Sequence, residues 1–522
     1  MAATELSSRA VRRTLWSALL DAVSAHGKDK VILEDPERQP LTYGRLVLGA
    51  LVLGARLRDV TLNAERVGVL MPNVQGIAVT LFGLTAHGRV PAMLNFTAGV
   101  KNLRAACEVG SIRTIVTSRR FVEQGKLDDV IAALEPGRRI IYLEDVRKRI
   151  TSWDKLKGAF ASITPRSSAG ASLNVNEEAV VLFTSGTEGT PKGVVLSHAN
   201  LVANAMQIFA HADGMLSAAD VVMNPLPVFH SFGLTAGTLM PLLNGMKVVM
   251  YPTPLHYKQV PRLIGETACT VLFGTDTFLQ GYARAADEGD LASVRIVIAG
   301  AERVKEETRR MWSATGATIC EGYGCTECAP VLACNTIGAG ARNGTVGRML
   351  PALAHRLEPV EGIDTGGRLF VKGPNIMLGY LLADRPGEIV APEDGWHDTG
   401  DIVDIDEGGF ITIKGRAKRF AKLGGEMVSL AAVESMVSSV WPGHNHVVVA
   451  LPDPRKGEQL ILITENPDGD RKDLLKQAQA RGFPELWIPR AILVTQMIPV
   501  LGSGKVDYTA ARELAVTMRA LL

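Results

Sequence analysis

The chain has 522 residues, an apolar fraction of 47% and a formal net charge of +2. This balance argues against the strongly basic surface of a nucleic-acid-binding protein, and the length is sufficient for several domain-sized units. Six cysteines in a chain of this length do not make a disulfide framework, which fits a reducing cytosol.

The N-terminus carries Arg9, Arg12 and Arg13 ahead of the apolar stretch LWSALLDAVSA. A targeting helix is one interpretation. The stretch is short and contains Asp21, however, which is typical of an amphipathic helix that opens a domain. We therefore expect a cytoplasmic protein.

From Val31 to about Arg119, short apolar strands alternate with helical segments. Strands are predicted at 66–73, 89–95, 113–118 and 139–145, and a helix at 77–88. Such alternation predicts an α/β fold with a parallel sheet covered by helices on both faces. Residues 152–178 are polar and rich in small side chains, so they are predicted to be a linker between subdomains.

The stretch VVLFTSGTEGTPKGVVLSH, residues 180–198, combines two predicted strands with a loop of hydroxyls and glycines. Backbone N–H groups in such a loop can surround an anion and Lys192 adds positive charge, so the loop suits a polyphosphate. It differs from the usual P-loop because Pro191 precedes the lysine and Gly193 follows it. Ser197 is predicted to cap the next helix. A flexible surface hairpin is the alternative that this stretch alone leaves open.

Residues 221–246 contain no Asp, Glu, Lys or Arg and are long enough to span a bilayer. Asn224, Pro225 and Pro227 would interrupt a single membrane helix, so a short strand, a turn and a buried helix are predicted instead. Peripheral membrane contact is left open. Within this region, His230 lies in the stretch PVFHSFG and is a candidate to line an acyl pocket or to be a buried core histidine.

The α/β rhythm continues through predicted strands in KVVMYP, CTVLFGTD and VRIVIAGAE. Beyond Gly344 the strands become short and glycine is frequent, which predicts a small antiparallel β unit. The block from about Arg419 has its own helices and strands and is predicted to form a separate domain of roughly a hundred residues.

The sequence EGYGCTE, residues 321–327, places a tyrosine between glycines, where its ring can lie against a planar base. Thr326 and Glu327 supply oxygen atoms, which are the ligands that Mg²⁺ prefers. In WHDTGD, Asp401 follows a glycine turn and can accept hydrogen bonds from ribose hydroxyls. Alone, each of these motifs is also typical of a structural turn.

Two basic motifs follow. KGRAKRFAKLGGE, residues 414–426, is either a solvated charged face or a phosphate-contacting segment through Arg416. PVLGSGK places Lys505 at the tip of a glycine loop, from which it can neutralise charge that develops during a reaction.

Cys320, Cys325, Cys328 and Cys334 lie close together in sequence and include a C-x₂-C pair. A zinc site is one interpretation. Packing as small apolar side chains is favoured, because a metal knot there would obstruct Tyr323.

Ten consecutive residues, Thr184 to Gly193, resemble the phosphate-binding signature of the adenylate-forming superfamily of acyl-CoA synthetases, luciferases and adenylation domains. The other motifs occur in the order that this superfamily has. The resemblance implies a large N-terminal domain, 1–417, and a small mobile α+β C-terminal domain, 418–522, that rotates about a hinge near Lys418.

The resemblance also implies roles for individual residues. Catalytic roles fall on Lys505, Glu327, Thr184, Lys192 and His230, with Glu327 and Thr184 also contacting Mg²⁺. Contacts to ATP fall on Thr184, Ser185, Gly186, Thr187, Gly189, Thr190, Lys192, Gly300, Ala301, Glu321, Gly322, Tyr323, Gly324, Thr326, Asp401, Ile413 and Arg416.

Segments such as KGRAKRFAKLGGEMVSL and PVLGSGKVDY resemble the synthetase half of the bifunctional 2-acylglycerophosphoethanolamine acyltransferase/acyl-ACP synthetase. This narrower resemblance implies a free-standing ligase that forms a fatty acyl adenylate and loads the phosphopantetheine thiol of acyl carrier protein (ACP). CoA is the alternative acceptor, and a nucleotide-binding scaffold without turnover is a further alternative. A basic rim for acidic ACP is expected from Arg416, Lys418, Arg419, Lys422, Arg455 and Lys456.

Overall fold

The computed structural model describes residues 11–168, 174–185, 191–423, 426–453, 457–500 and 506–520. Within it, the chain divides into two units. The first comprises Met1–Ala354 and Lys372–His397, and the second comprises His355–Val371 and Asp398–Leu522.

The helices, in chain order, are α1 Leu15–His26, α2 Tyr43–Arg58, α3 Gln75–Ala86, α4 Val100–Val109, α5 Arg119–Gln124, α6 Asp128–Leu134, α7 Leu143–Lys148, α8 Ser152–Ala161, α9 Pro165–Ser168, α10 His198–His211, α11 Met240–Leu243, α12 Gln259–Thr267, α13 Asp276–Ala285, α14 Glu306–Ala314, α15 Leu430–Val440, α16 Arg471–Ala480 and α17 Tyr508–Ala520.

The strands, in chain order, are β1 Val31–Glu34, β2 Leu41–Thr42, β3 Arg66–Val69, β4 Val90–Met93, β5 Thr114–Thr117, β6 Arg139–Tyr142, β7 Glu178–Ser185, β8 Pro191–Ser197, β9 Val221–Asn224, β10 Lys247–Met250, β11 Val271–Gly274, β12 Ile296–Ala299, β13 Thr318–Gly324, β14 Val331–Cys334, β15 Arg348–Met349, β16 Ala354–Glu358, β17 Gly367–Lys372, β18 Gly379–Leu382, β19 Arg385–Val390, β20 His397–Ile405, β21 Ile411–Arg416, β22 Phe420–Leu423, β23 Glu426–Ser429, β24 His446–Asp453, β25 Gly457–Thr464 and β26 Ala491–Val494.

Two large sheets organise the first unit, and the predicted α/β fold is confirmed. One has the order β15-β14-β13-β12-β11-β9-β10-β1-β2, and its strands from β13 to β1 run parallel. The other has the order β19-β18-β8-β7-β4-β3-β5-β6, in which β7 is parallel to β4 and antiparallel to β8. Strands such as β11 and β12 are buried along their whole length, which explains their continuous apolar sequence.

Helices α2 and α3 pack closely because small residues meet at their contact. A Cβ atom added to Gly54 would lie 2.3 Å from the carbonyl oxygen of Gly83, so a larger residue at either position would push the helices apart.

The predicted linker is wrong for residues 152–168, where the chain forms α8 and α9. Helix α8 begins with a capping box in which Thr151 accepts from the backbone N–H of Asp154, while the Asp154 side chain accepts from that of Thr151. At Gly158 an added Cβ would lie 2.4 Å from Val52 Cγ2, so the small residue lets α8 pack on α2. The capping signal outweighs the polar composition on which the linker prediction depended.

The uncharged region 221–246 forms β9, a turn, a π-helical segment at Phe232–Leu239 and α11, as predicted. Asn224 is buried and donates to the carbonyl of Gly233 at 3.0 Å and to Thr238 Oγ1 at 2.9 Å, so its amide closes the turn. Over the residues that the structure describes, no helix is long and apolar enough to cross a membrane.

The second unit contains a four-stranded sheet, β16-β17-β20-β21, and a sheet of order β23-β22-β25-β24 in which β26 also pairs with β25. Successive side chains of β24 point to opposite faces of the second sheet. Val448 packs with α15 and α16, while Val447 and Val449 pack with α17. Lys418 lies in a 3₁₀ turn, Ala417–Arg419, between the two sheets, and its role as a hinge stays a prediction.

Candidate active site

The predicted phosphate loop joins β7 and β8, which pair antiparallel with Thr184 opposite Lys192 and Ser185 opposite Pro191. Residues 186–190, which include Gly186, Thr187, Gly189 and Thr190, lie outside the described residues. The loop follows the carboxyl end of β7, a strand parallel to β4, and ligands of α/β sheets bind at that end of the strands. Ser197 caps α10 as predicted, accepting from the backbone N–H of Asn200.

Three side chains from distant parts of the chain meet beside this hairpin. Lys192 Nζ lies 5.3 Å from the centroid of the Tyr380 ring, and Tyr380 Oη donates to Glu327 Oε1 at 2.7 Å. Tyr380 reaches this place because β18 pairs with β8, with Tyr380 opposite Val194. The arrangement brings the hairpin lysine and the predicted Mg²⁺ ligand to one locality.

The Tyr380 phenol stays protonated in this setting. Burial, followed by the neighbouring Glu327 carboxylate, raises the pKa of Tyr380 above its ordinary value. A protonated phenol donates to the carboxylate and leaves the other oxygen, Oε2, to accept or to bind a cation.

The turn that carries Glu327 is held by the segment before β18. The backbone N–H of Met377 donates to the carbonyl of Glu327 at 2.8 Å, and Asn375 Nδ2 donates to the carbonyl of Cys328 at 2.7 Å. The N–H of Leu378 donates to Val195 of β8 at 2.9 Å. Segment 375–378 therefore fixes the turn to the hairpin.

Gly324 ends β13 at a point where no side chain fits. A Cβ added there would lie 1.9 Å from the carbonyl oxygen of Pro330. Tyr323 lies opposite Ala333 in the ladder with β14 and is 8% exposed. Gly322 pairs with Cys334 in the same ladder.

Gly300 and Ala301 follow β12 directly, and Ala299 lies opposite Glu321 of β13. The structure therefore places Gly300 and Ala301 beside the tyrosine motif, at the carboxyl ends of two neighbouring parallel strands. Ala301 has a φ of 70° and is exposed.

The side chain of Glu321 is engaged by the protein itself. Its Oε1 pairs with Arg309, and its Oε2 accepts from the backbone N–H of Val304 at 3.3 Å. The contact with Val304 holds the loop after Ala301 and the contact with Arg309 holds α14, so Glu321 fixes both to β13.

The stretch 227–233 contacts the same motif from another side. Ser231 Oγ donates to Thr326 Oγ1 at 3.4 Å, and the half-buried His230 ring packs 4.8 Å from the Phe229 ring. Val228 and Leu234 line a small apolar cavity whose other lining residues are Ile77, Ala78, Leu81, Met93 and Thr238. The stretch thus joins the motif turn to an apolar cavity.

The four clustered cysteines do not form one metal site among the residues described. Cys320 contacts Met215 Sδ at 3.9 Å, and Cys334 Sγ donates to the carbonyl of Asn335 at 3.1 Å. Cys325 donates to Cys328 Sγ at 3.3 Å and lies 3.7 Å from His397 Nε2. These last three donor atoms all lie within 4.8 Å of one another.

The potential ligands of a zinc ion at this place are therefore the sulfur atoms of Cys325 and Cys328 and the imidazole of His397. The hydrogen bond with Cys328, together with burial, raises the pKa of the Cys325 thiol well above its ordinary value. A structural zinc ion takes four ligands, and only three donor atoms gather here among the residues described, so packing remains the favoured interpretation.

In the second unit, Asp401 of β20 lies opposite Arg416 of β21, with Arg416 Nε 3.3 Å from Asp401 Oδ1. Asp401 is 4% exposed, whereas the Arg416 side chain is 69% exposed. Ile413, on the same strand as Arg416, is 40% exposed. Nucleotide contacts from these three residues stay predictions.

The predicted role of Arg419 in an exposed basic rim is wrong. Its guanidinium donates to both carboxylate oxygens of Glu434, at 2.8 and 3.2 Å, and to the carbonyl of Val448. It also lies 3.7 Å from the centroid of the Tyr508 ring. The Arg419 side chain is only 14% exposed, so its positive charge is paired inside the second unit and is not presented to a docking partner.

Of the other predicted rim residues, Arg416, Lys418 and Lys422 are exposed. Arg455, Lys456 and Lys505 lie outside the described residues. Val500 and Val506 form a β-bridge on either side of the segment that carries Lys505.

Comparison with known proteins decides the family. The profile of the family described as AMP-binding enzyme matches residues 20–381. The chain belongs to this family. It is 27% identical over 516 residues to a feruloyl-CoA synthase of Amycolatopsis sp., covering 96% of this chain and 97% of the relative. It is 24% identical over 531 residues to a long-chain-fatty-acid–CoA ligase of Haemophilus influenzae, covering 94% of each.

Among solved structures, ATP-bound MatB from Rhodopseudomonas palustris is similar, with a TM-score of 0.82, 23% identity and coverage of 96% of this chain and 99% of that one. The resemblance to the adenylate-forming superfamily is therefore confirmed. So is the predicted fold, a large N-terminal α/β part followed by a small C-terminal domain. This AMP-binding enzyme is an AMP-forming acid–thiol ligase.

Sequence reasoning missed two residues that shape the site of this AMP-binding enzyme. Tyr380 and Asn375 lie in NIMLGYLL, which carries no charged residue and no nucleotide motif. Their importance comes from the pairing of β18 with β8, and nothing in the local sequence of either strand specifies that pairing.

Proposed function

We propose that this enzyme activates a fatty acid with ATP and transfers the acyl group to a phosphopantetheine thiol. In the first step, a carboxylate oxygen attacks the α-phosphorus of ATP and the bond to pyrophosphate breaks, leaving acyl-AMP. In the second, the sulfur attacks the acyl carbon, the thiol proton leaves and AMP is released. The observation that carries the proposal is the meeting of Lys192, Tyr380 and Glu327 beside the phosphate hairpin.

The charges of this locality suit a nucleotide triphosphate. Lys192 is positive and lies at the mouth of a loop whose composition favours phosphate oxygens. Glu327, Thr326 and Thr184 offer the hard oxygen atoms that Mg²⁺ prefers, so these residues would hold the ion. Bound Mg²⁺ would neutralise phosphate charge, and Tyr380 would keep the Glu327 carboxylate oriented.

The small cavity that Val228 and Leu234 line is consistent with an apolar acid as the substrate. Apart from Thr238, its lining consists of aliphatic and methionine side chains, with no charged residue and no aromatic ring. The cavity has room for only about one water molecule, so it shows that the surroundings are apolar and does not measure the substrate. The choice of a fatty acid over the ferulate of the Amycolatopsis enzyme's name rests on the narrower sequence resemblance and on the long-chain-fatty-acid–CoA ligases among the relatives.

We propose ACP as the acceptor, with CoA as the alternative that the names of the relatives favour. Support for ACP comes from the narrower sequence resemblance and from exposed Arg416, Lys418 and Lys422, which suit an acidic partner. The same residues suit the phosphates of CoA, so the charge alone does not distinguish the two.

The test is a thioester assay with holo-ACP and CoA in parallel, using fatty acids of increasing length, with ferulate as the aromatic control. We expect fatty acids to be better substrates than ferulate and kcat/KM to be higher with holo-ACP. Higher kcat/KM with CoA at every chain length would contradict the acceptor. A preference for ferulate would contradict the substrate class.

Lys505 is proposed to neutralise the charge that grows between carboxylate and α-phosphate. Lys505→Ala should abolish acyl-AMP formation and spare thioester formation from supplied acyl-AMP, while Lys476→Ala, at an exposed helix position, serves as the charge-matched control. Full forward activity of Lys505→Ala would refute this role. If the wild-type chain binds ATP but shows no acid-dependent turnover, the scaffold alternative stands instead.

A further inference from the structure

Helix α8 presents its apolar side chains to solvent. Trp153, Leu156 and Phe160 are 61%, 45% and 63% exposed, and Ile163, in the turn that follows, is 72% exposed. The spacings of three, four and three residues place these side chains along one stripe of the helix surface.

The face of α8 that packs on the protein carries small and polar residues. Gly158 is buried against Val52 and Leu48, and Asp154 pairs with Arg56. The usual amphipathic order is therefore inverted, because a surface helix normally turns its apolar stripe toward the core. An exposed apolar stripe on a firmly held helix marks an interaction surface.

The segment is also basic. Between 147 and 157 the chain has five exposed cations, namely Arg147, Lys148, Arg149, Lys155 and Lys157. The one acidic residue in that interval, Asp154, is already engaged by Arg56. The whole chain carries a net charge of only +2, so this segment concentrates positive charge beside the apolar stripe.

The residues that follow α8 are also bound to helix α1. Trp16 Nε1 donates to the carbonyl of Pro165 at 3.1 Å, and Arg166 pairs with Asp21 of α1. The stripe is thus displayed on a supported helix.

We propose that α8 docks this enzyme on an anionic lipid surface. Trp153, Leu156, Phe160 and Ile163 would enter the boundary between headgroups and acyl chains, while the flanking lysines and arginines would meet lipid phosphates. A helix with aromatic and aliphatic residues on one side and Lys or Arg beside them is the pattern of interfacial membrane helices. The charge favours this occupant over a second copy of the chain, whose own basic segment would be repelled. The inference does not depend on the identity of the acid or the acceptor.

The test is co-sedimentation of the full chain with vesicles of phosphatidylcholine, with and without an equal part of phosphatidylglycerol. We expect binding to the anionic vesicles only, weakened by salt because surface charges are screened. The double variant Trp153→Ser/Phe160→Ser should bind at least roughly tenfold more weakly, since it removes two interfacial aromatic side chains. Its matched control, Leu62→Ser/Leu255→Ser, removes two exposed apolar side chains elsewhere and should bind like the wild type.

Charge is tested in the same way. Lys155→Glu/Lys157→Glu should weaken binding to anionic vesicles by roughly tenfold or more, because each basic residue near the surface contributes to the attraction. Lys101→Glu/Lys126→Glu changes the net charge equally at exposed positions on other helices and turns, and should have little effect. Unchanged acyl-AMP formation in vesicle-free buffer shows that each variant is folded.

Four results would overturn the proposal. They are no binding of the wild type to anionic vesicles, unchanged binding of the aromatic variant, equal losses in the two charge-reversal variants, or a dimer in sedimentation velocity that the aromatic variant loses. The last would assign the stripe to a second copy of the chain.

Discussion

The turn around Glu327 in the first unit and the segment around Arg419 in the second both carry charged motifs, yet the structure uses them differently. Glu327 is half-buried, and its carboxylate accepts from Tyr380 beside the hairpin lysine. Arg419 is enclosed by Glu434, the carbonyl of Val448 and the Tyr508 ring. One charge lies beside the hairpin that is proposed to bind a polyphosphate, and the other is part of an internal ion pair that stabilises the second unit.

A sequence motif therefore locates a segment, but it does not show which of the charged side chains in that segment are exposed to a ligand. Within KGRAKRF, Arg416 and Arg419 have the same chemistry and lie three residues apart, but their side chains are 69% and 14% exposed. Burial is set by helix α15 and strand β24, which lie further along the chain. Substitutions in the two regions should therefore have different effects: loss of stability at Arg419 and loss of activity at Glu327.

The largest effect is expected at Arg419. Arg419→Ala leaves Glu434 buried without its cation, which should lower the free energy of unfolding of the second unit by roughly 3–5 kcal/mol. Urea unfolding monitored by circular dichroism measures this. Arg512→Ala is the matched control, because this arginine is exposed on α17 and its loss should leave the unfolding midpoint unchanged. If the two variants have equal stability, the structural role of Arg419 is wrong.

Glu327→Gln should damage chemistry and leave stability intact. Removing the charge that is proposed to hold Mg²⁺ near the phosphates should lower the rate of acyl-AMP formation by about 10²–10³-fold, the usual loss for one electrostatic group in a preorganised site. Pyrophosphate release measures the rate, and Glu288→Gln, an exposed acid on the same unit, is the control. A Glu327→Gln enzyme with wild-type turnover would remove this residue from the mechanism.

Acid should destabilise the first unit through His198, which begins the helix after the phosphate hairpin. Burial lowers the pKa of His198 to about 4, and its Nδ1 accepts from the backbone N–H of Leu15. The unfolded chain, with a histidine pKa near 6.5, binds more protons between pH 4 and 6.5, so stability falls as pH drops through that window.

At pH 5 the loss from His198 should be roughly 2 kcal/mol. His198→Asn keeps an acceptor for Leu15 and cannot be protonated, so the difference in unfolding free energy between pH 7.5 and pH 5 should shrink by that amount. An unchanged difference would show that His198 is not a source of the acid sensitivity.

A smaller effect is expected at Tyr380. Tyr380→Phe removes one hydrogen bond to Glu327 and keeps the ring beside Lys192, so acyl-AMP formation should slow by no more than about tenfold, as for one net hydrogen bond. Tyr282→Phe, at a buried tyrosine that donates to the carbonyl of Pro254, should leave the rate unchanged. A loss at Tyr380→Phe as large as that of Glu327→Gln would mean that the phenol takes part in the chemistry itself.

The smallest effect concerns metal. Because Cys325, Cys328 and His397 offer three donor atoms where a structural zinc ion takes four, the purified protein should carry no stoichiometric zinc, and Cys325→Ser should leave activity close to that of Cys107→Ser, at a buried cysteine elsewhere. Elemental analysis measures this directly. One zinc per chain, lost in Cys325→Ser, would instead assign a site to Cys325, Cys328 and His397.

Much of the fold could be predicted because its signals are local. Buried strands such as β11 and β12 are continuous apolar runs, and Ser197 is a capping residue directly before its helix. The linker prediction for residues 152–168 is wrong because the packed face of this segment has small side chains and its apolar side chains are exposed, which inverts the usual pattern. Tyr380 and the burial of Arg419 were beyond local reasoning, because both depend on contacts with strands and helices distant in sequence.

The central claim is that the hairpin with Lys192 and the turn with Glu327 bind one ATP and activate a carboxylic acid on it. The most direct test is the exchange of labelled pyrophosphate into ATP in the presence of Mg²⁺, with and without a fatty acid. We predict exchange that depends on the acid and is lost in Glu327→Gln. Exchange that proceeds equally without the acid, or that survives in Glu327→Gln, would contradict the account.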